Sequence, residues 1–319
     1  MKKNIKPHSL EAWLAFFRPK TLWIAAAPVL VGTGLALAFD GKFNFWIFLL
    51  TLLGAMTIQA MSNMVNDYAY NVRKAERSDR VGIPRATTEG WISMDAAKKM
   101  IGAMIVLACL FGIALIVIGG WAIALIAFLS ILCGYCYMGG PKPIAYTPFG
   151  EFLVFLFYGL FAVGGTFWLQ TLSFNILVLI PGTALGLIGA AVLFINNYRD
   201  VEHDLSVGRR TLAAVVGKKV GVFVYSCMIY IPFIIVGWLS IANHSYWPFL
   251  FILLALPRAS FLPSILKKTQ QADITFLMLR TIKLEVLFAL LLTIAGIGVF
   301  YLTWPLGSLS ASTIFAIPF

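Results

Sequence analysis

Long apolar runs separated by polar, mostly basic connections make up this chain. Runs at 21–39, 44–65, 97–119, 121–138, 149–171, 175–196, 220–241, 246–265 and 283–304 each approach the ~20 residues that carry a helix across the hydrocarbon core of a bilayer. They predict an all-α membrane protein with nine transmembrane helices. The least distinct features are the tight turn at Gly119-Gly120 and the eighth run, which Pro257 interrupts. Ahead of the first run, residues 9–20 (SLEAWLAFFRPK) place Leu10, Trp13, Leu14 and Phe17 on one helical face. Ser9 is positioned to cap this helix and Pro19 to bound it, and its apolar face predicts that it lies in the membrane interface.

The polar connections alternate in length. Those at 40–43, 119–121, 172–174 and 242–245 are short, whereas 66–96, 197–219 and 266–282 are long. Of the 24 Lys and Arg residues, Lys42 alone falls on the short-loop side. The positive-inside rule then puts the N-terminus and the long connections in the cytoplasm, and the C-terminal segment outside a cell inner (cytoplasmic) membrane. A composition that is 61% hydrophobic and 12% charged excludes a soluble protein and makes the lipid bilayer a partner. The net charge of +11 follows from this topology and needs no nucleic acid to explain it. Cys109, Cys133, Cys136 and Cys227 all sit in apolar runs. The Cys133-x-x-Cys136 pair lacks the second pair that a zinc site requires, so these read as buried apolar side chains. Residues 1–319 are expected to form a single domain.

Two polar constellations interrupt this pattern, both at span ends on the cytoplasmic side. After the sixth run, Asn197, Asp200 and Asp204 (i, i+3, i+7) fall on one helical face with Asn196 beside them. After the second run, Asn63, Asn66, Asp67 and Tyr70 share a face, followed by a loop carboxylate, Glu76, and a dense run of cations. Carboxylates at membrane helix ends are costly unless a cation lies between them. Mg²⁺ accepts one or two carboxylates together with phosphate oxygens, and flanking Arg or Lys would neutralise the rest of a diphosphate. Candidates for that second task are Arg73, Lys74, Arg80, Lys142 and Arg199, with Lys142 and Arg199 first. Positive-inside topology and interhelical hydrogen bonding are the competing explanations for the cations and the asparagines.

The motifs that carry these residues resemble those of the UbiA superfamily of intramembrane aromatic prenyltransferases, in its 1,4-dihydroxy-2-naphthoate branch of menaquinone synthesis. The likeness runs from Trp13 and Arg18-Pro19-Lys20-Thr21-Leu22 through Ala27–Thr33, Asn63-x-x-Asn66-Asp67-Tyr68, Gly82 to Arg85, and Tyr137-Met138-Gly139-Gly140-Pro141-Lys142-Pro143 with Gly150-Glu151. It ends with Asn196-Asn197-x-Arg199-Asp200, Asp204, Gly208-Arg209-Arg210-Thr211-Leu212 and Arg280-Thr281-x-Lys283-Leu284. The resemblance implies nine helices around a central cavity, a cytoplasmic cap and Mg²⁺-dependent catalysis. It implies metal-site positions at Asn63, Asn66, Asp67, Asn197, Asp200 and Asp204, with Asp67, Asp200 and Asp204 catalytic. The chain departs from the pattern at Tyr70, where the family usually carries another Asp, and at Glu76, where it carries a loop Asp. Glu76 or Asp79 compensates, or one metal binds less tightly, or the substrates differ; Glu76 is favoured.

The implied substrates are a polyprenyl diphosphate and an aromatic acceptor. Tyr68, Tyr137, Tyr146 and Phe149 lie where aromatic faces could shield an allylic cation, although aromatics at such positions more often serve packing. A sister enzyme acting on 4-hydroxybenzoate, homogentisate or haem is the nearest alternative. A transporter or an inactive lipid-binding relative is the more distant one. Transport is disfavoured because the acidic residues cluster at one membrane face rather than at the midplane.

Overall fold

The computed structural model describes residues 5–74, 84–268, 274–304 and 309–318, and over them the chain is helical almost throughout. In lipid a backbone must satisfy its own hydrogen bonds, and apolar runs of this length can do so only as helices. Helix α1 (Leu10–Phe17) begins at Ser9, whose hydroxyl accepts from the Ala12 amide at 3.3 Å. Its buried side carries Ala12 and Phe16, while Leu10 and Leu14 are exposed and form an apolar edge suited to the interface. Pro19 opens α2 (Pro19–Asp40), where its missing N–H is tolerated.

The remaining elements are α3 (Phe45–Val72), α4 (Met94–Cys136), α5 (Gly150–Val154), α6 (Ala162–Thr171), α7 (Leu179–Arg199), α8 (Val201–Ser206), α9 (Leu212–Ala242), α10 (Leu256–Lys268), α11 (Ile274–Thr303) and α12 (Ala311–Ile314). A π-helical stretch, Phe155–Phe161, joins α5 to α6, and a 3₁₀ stretch, His244–Ala255, leads into α10. Among the described residues, eight continuous helical stretches are long and apolar enough to cross a bilayer. One of them, α4, is a hairpin. Its backbone leaves helical geometry at Gly120 (φ 69°, ψ −156°), and a Cβ on Gly112 would lie 3.7 Å from that of Ala127 in the other arm. The expected nine crossings follow.

Three expected boundaries move. Helix α3 continues to Val72 rather than ending at 65, because its polar residues find partners without leaving the helix. Helix α11 starts at Ile274 rather than at 283. The first half of the eighth crossing is 3₁₀, and Pro257 lies in the opening turn of α10 rather than in a helix interior.

Helices α2, α7 and α11 form the centre. Small residues let their backbones meet: a Cβ on Gly296 of α11 would stand 2.3 Å from the Gly34 carbonyl oxygen of α2. On the other flank, a Cβ on Gly159 of the π-helical stretch would stand 2.6 Å from the Gly182 carbonyl of α7. Such contacts replace the hydrophobic effect, which does not drive helix association in lipid. Where α2, α3, α4, the 150–171 crossing, α7 and α11 stand apart, they enclose a cavity of about 530 Å³, within the range of small-molecule sites.

Candidate active site

The cavity is polar at one end. Arg18 and Lys20 line it from the start of α2, Asn63 and Asn66 from α3, Asn196 and Arg199 from the end of α7. Beyond them the wall turns apolar, with Ile24, Leu115, Ile126, Phe157, Phe161 and Leu169. A charged head and a hydrocarbon tail on one ligand would match this division.

The first motif splits between two tasks. Asn63 donates to the Phe17 carbonyl (3.2 Å) and the Thr21 hydroxyl (2.9 Å) and accepts from Gln59 Nε2 (3.1 Å), so it clamps the α1–α2 junction. Asn66 Oδ1 accepts from Arg85 at 2.7 Å. Asp67 is fully buried and does not line the cavity. Its Oδ2 accepts from the Ala86 amide (2.9 Å) and Arg18 (3.5 Å), and its Oδ1 from the Thr87 amide (3.0 Å) and hydroxyl (2.7 Å). The carboxylate therefore holds the turn at 86–90 against the end of α3. Side chains i, i+3, i+4 and i+7 on α3 were expected to act as one face. They diverge because 86–90 folds over Asp67 alone, a long-range contact that helical spacing does not encode.

The second motif straddles a break, and of its residues Asn196 and Arg199 line the cavity while Asn197, Asp200 and Asp204 do not. Asp200 ends α7 with φ −98° and ψ 8°, and the Asp204 amide bonds the Asp200 carbonyl at 2.8 Å, so the two carboxylates stay one turn apart. Asp200 is 28% exposed and receives a bidentate pair from Arg199, at 3.0 Å from Nε and 2.7 Å from Nη2. Arg199 is buried and also donates to Asn196 Oδ1 (3.0 Å) and the Thr275 hydroxyl (3.1 Å). Asn197 donates to Glu151 Oε1 at 2.9 Å. Asp204 is buried, with Oδ1 2.8 Å from Arg209 Nη1, and no described residue bonds its Oδ2. Burial pushes the Asp204 carboxyl up to about 6, against the opposite pull of Arg209.

Tyr70 connects the two motifs. The Arg85 guanidinium lies 3.4 Å from its ring centroid, and its hydroxyl accepts from Arg209 Nη1, which also pairs with Asp204. Arg209 donates further to the Ala145 carbonyl at 3.2 Å. Where the resemblance expects a carboxylate, the phenol supplies no charge but aligns two cations between the motifs.

Other expected residues are placed elsewhere. Arg73 donates to the carbonyls of Met138 (2.7 Å) and Gly140 (2.5 Å), while Lys74 and Lys142 are exposed, and none of the three lines the cavity. These basic residues tie or flank the polar loops rather than facing the cavity. Glu76, Asp79 and Arg80 lie outside the described residues. Of the four aromatics, Tyr137 lines the cavity, and Phe149 is 63% exposed. Sequence reasoning passed over Lys20, Arg85, Glu151 and Arg209 as site residues. A signal existed for all four, since Lys20, Arg85, Glu151 and Arg209 stand inside the family-like motifs.

Comparison with known proteins agrees with this geometry. The UbiA prenyltransferase family model matches residues 25–284. The 1,4-dihydroxy-2-naphthoate octaprenyltransferase of Escherichia coli (strain K12) is 31% identical over 301 residues, which cover 92% of this chain and 96% of that protein. The protein of the same name from Bacillus subtilis (strain 168) is 32% identical, covering 76% of this chain and 77% of its own. A solved UbiA homolog from Archaeoglobus fulgidus bound to DMAPP and Mg²⁺ has the same fold, with a TM-score of 0.60 at 15% identity over 91% of this chain and 99% of that one. This multi-pass membrane protein belongs to the UbiA prenyltransferase family.

Proposed function

We propose that the protein transfers a polyprenyl group from an allylic diphosphate to 1,4-dihydroxy-2-naphthoate, with loss of the ring carboxylate, giving the quinol form of demethylmenaquinone. The observation that carries this reading is the likeness to relatives of that name over nearly the whole chain, joined to a cavity with a cationic end and an apolar body. The polar end faces the cytoplasm. There the 86–90 turn, the loop around 138–146 and α8 serve as a cap, cross-linked by Asp67, Arg73 and Arg209.

The donor set fits Mg²⁺, because Asp204 keeps a buried oxygen without a partner and Asp200 is partly open, and both are hard oxygen ligands. Asp200 and Asp204 would hold the ion, with the amide oxygen of Asn197 in the same motif and that of Asn66, which accepts from Arg85, in the first; Asn63 and Asp67 act by positioning. When bound, Mg²⁺ supplies Lewis acidity toward the diphosphate oxygens. Arg18, Lys20 and Arg199 balance the remaining phosphate charge. The allylic C–O bond breaks with its electron pair leaving on diphosphate. A ring carbon forms the new C–C bond to the allylic carbon, and the ring carboxylate departs as CO₂, returning its electron pair to the ring. The apolar walls keep water from the cation during this step.

Transfer of radiolabel from a polyprenyl diphosphate by the purified protein tests the reading. Product is expected with 1,4-dihydroxy-2-naphthoate, and faster turnover with 4-hydroxybenzoate would overturn the acceptor assignment. The raised Asp204 carboxyl adds a pH dependence. A carboxyl ionised above about 6 and protonated below it binds a divalent cation only in the upper range. The Mg²⁺ concentration for half-maximal binding should therefore climb as pH drops through about 6, by up to about tenfold per unit. Calorimetric titration on either side of that pH measures it, and a flat profile would exclude Asp204 as a ligand.

A further inference from the structure

Glu285 is an ionisable side chain inside the α11 crossing. It is fully buried, and no described residue hydrogen-bonds either carboxyl oxygen. An acidic group without partners at this depth weakens the fold, and membrane helices keep such groups where a ligand or a proton meets them. Its placement is specific. Thr275, Met278 and Ile282 of α11 line the cavity, and Glu285 is the next residue on that stripe (i, i+3, i+7, i+10). Opposite stands Gly189 of α7, itself part of the cavity wall. A Cβ on Gly189 would lie 3.3 Å from Glu285 Oε1 and 3.5 Å from Val154 Cγ1. Glu285 is not itself in the cavity wall, and a side chain on Gly189, which is, would press on its carboxyl.

At the same level Tyr158 faces the cavity and donates its hydroxyl to Gln59 Oε1, within electrostatic reach of Glu285. Gln59 in turn donates to Asn63. That chain of bonds is satisfied internally, so what Glu285 lacks is a donor from a ligand. A hydrocarbon tail has none, and an ionised diphosphate has none either. A hydroxylated aromatic ring supplies one. Gly189 precedes Asn196 by seven residues, about 10 Å along α7, a depth suited to a bicyclic ring whose reacting edge meets the head of the prenyl donor.

We propose that Glu285, reached past Gly189, accepts a hydrogen bond from a ring hydroxyl of the aromatic acceptor. The proposal rests on the aromatic-transfer reading above. It makes Glu285 a substrate contact for the acceptor and not for the prenyl donor.

The test uses the purified full-length enzyme with Glu285→Leu, Glu285→Gln and Gly189→Ala, measuring KM for each substrate separately, kcat and Tm. Glu285→Leu should raise the acceptor KM about tenfold, the loss of one hydrogen bond, with the prenyl diphosphate KM unchanged. Its Tm should hold or rise, because an apolar side chain replaces an unsatisfied carboxyl. Glu285→Gln, which keeps an acceptor oxygen, should fall between Glu285→Leu and the parent. Gly189→Ala should raise the acceptor KM by closing the gap. An unchanged acceptor KM in Glu285→Leu overturns the proposal, and so does a parallel rise in both KM values with a lower Tm, which marks a structural role. If the parent itself prenylates no hydroxylated aromatic, the transfer reading fails and takes this proposal with it; if only the variants behave as parent, the proposal alone falls.

Discussion

Replacing Asp200 or Asp204 by alanine should abolish prenyl transfer while leaving the protein folded and inserted. Asp200, at the break between α7 and α8, and Asp204, in α8, sit one turn apart, and neither substitution removes the last partner of its arginine. Asp200 is partly exposed, and Arg199, its partner, retains bonds to Asn196 and Thr275. No described residue bonds Asp204 Oδ2, and Arg209 keeps Tyr70 and Ala145 after the substitution but loses its buried charge partner, so Asp204→Ala should still fold yet melt lower than the parent. What disappears, on the proposed mechanism, is the negative charge that would hold the cation on the leaving diphosphate. Losing one such electrostatic stabiliser slows reactions by about 10²–10³-fold. Single-turnover rates beside melting curves for each variant decide the matter, and near-normal turnover in either would remove that residue from the mechanism.

Asp67→Asn should instead act on the fold first. The carboxylate accepts from two backbone amides, a hydroxyl and Arg18 while fully buried. A carboxamide has the same shape but one acceptor oxygen, and its NH₂ would face an N–H donor. It would also leave Arg18 without its charge partner at Asp67. Breaking one side of a buried ionic group costs about 3–5 kcal/mol, and the 86–90 turn would loosen over the polar end. The expected result is a lower melting temperature with protease cleavage near 86–90, and activity lost in proportion. Asp200→Asn, in contrast, should lose activity with no change in melting temperature. If Asp67→Asn melts like the parent yet is inactive, Asp67 is a ligand and not an anchor.

The architecture was legible because each crossing writes its own apolar length into the chain, and Gly119-Gly120 marked the hairpin that a continuous helix would have hidden. The second motif was legible as a cluster, since its residues lie within one or two turns of each other, although Asn197, Asp200 and Asp204 stand off the cavity wall that Asn196 and Arg199 help to form. The first motif was only half legible. Asn63 and Asn66 reach the cavity as their spacing suggests, but Asp67 is claimed by a turn 20 residues later, and no periodicity in α3 announces that. Lys142 looked like a phosphate ligand because of the motif around it, yet that loop turns it outward. Arg85 could not be found from spacing at all, because it acts by stacking on Tyr70 across the fold. Glu285 could have been found: a carboxylate inside a 30-residue apolar helix is a sufficient signal by itself.

The π-helical stretch at Phe155–Phe161 restricts how this crossing can change over evolutionary time. A π turn holds an extra residue relative to an α turn, so it amounts to an insertion absorbed without lengthening the span. Removing any one residue there would restore α geometry and swing everything downstream by about 100°. Gly165, Thr166 and Leu169 would leave the cavity wall, while Gly159 would lose its register with Gly182 and Gly186. Substitutions along 150–171 can thus accumulate one at a time, but a gap cannot. Related chains that keep this cavity should align through the stretch without deletions, even where few of their residues agree.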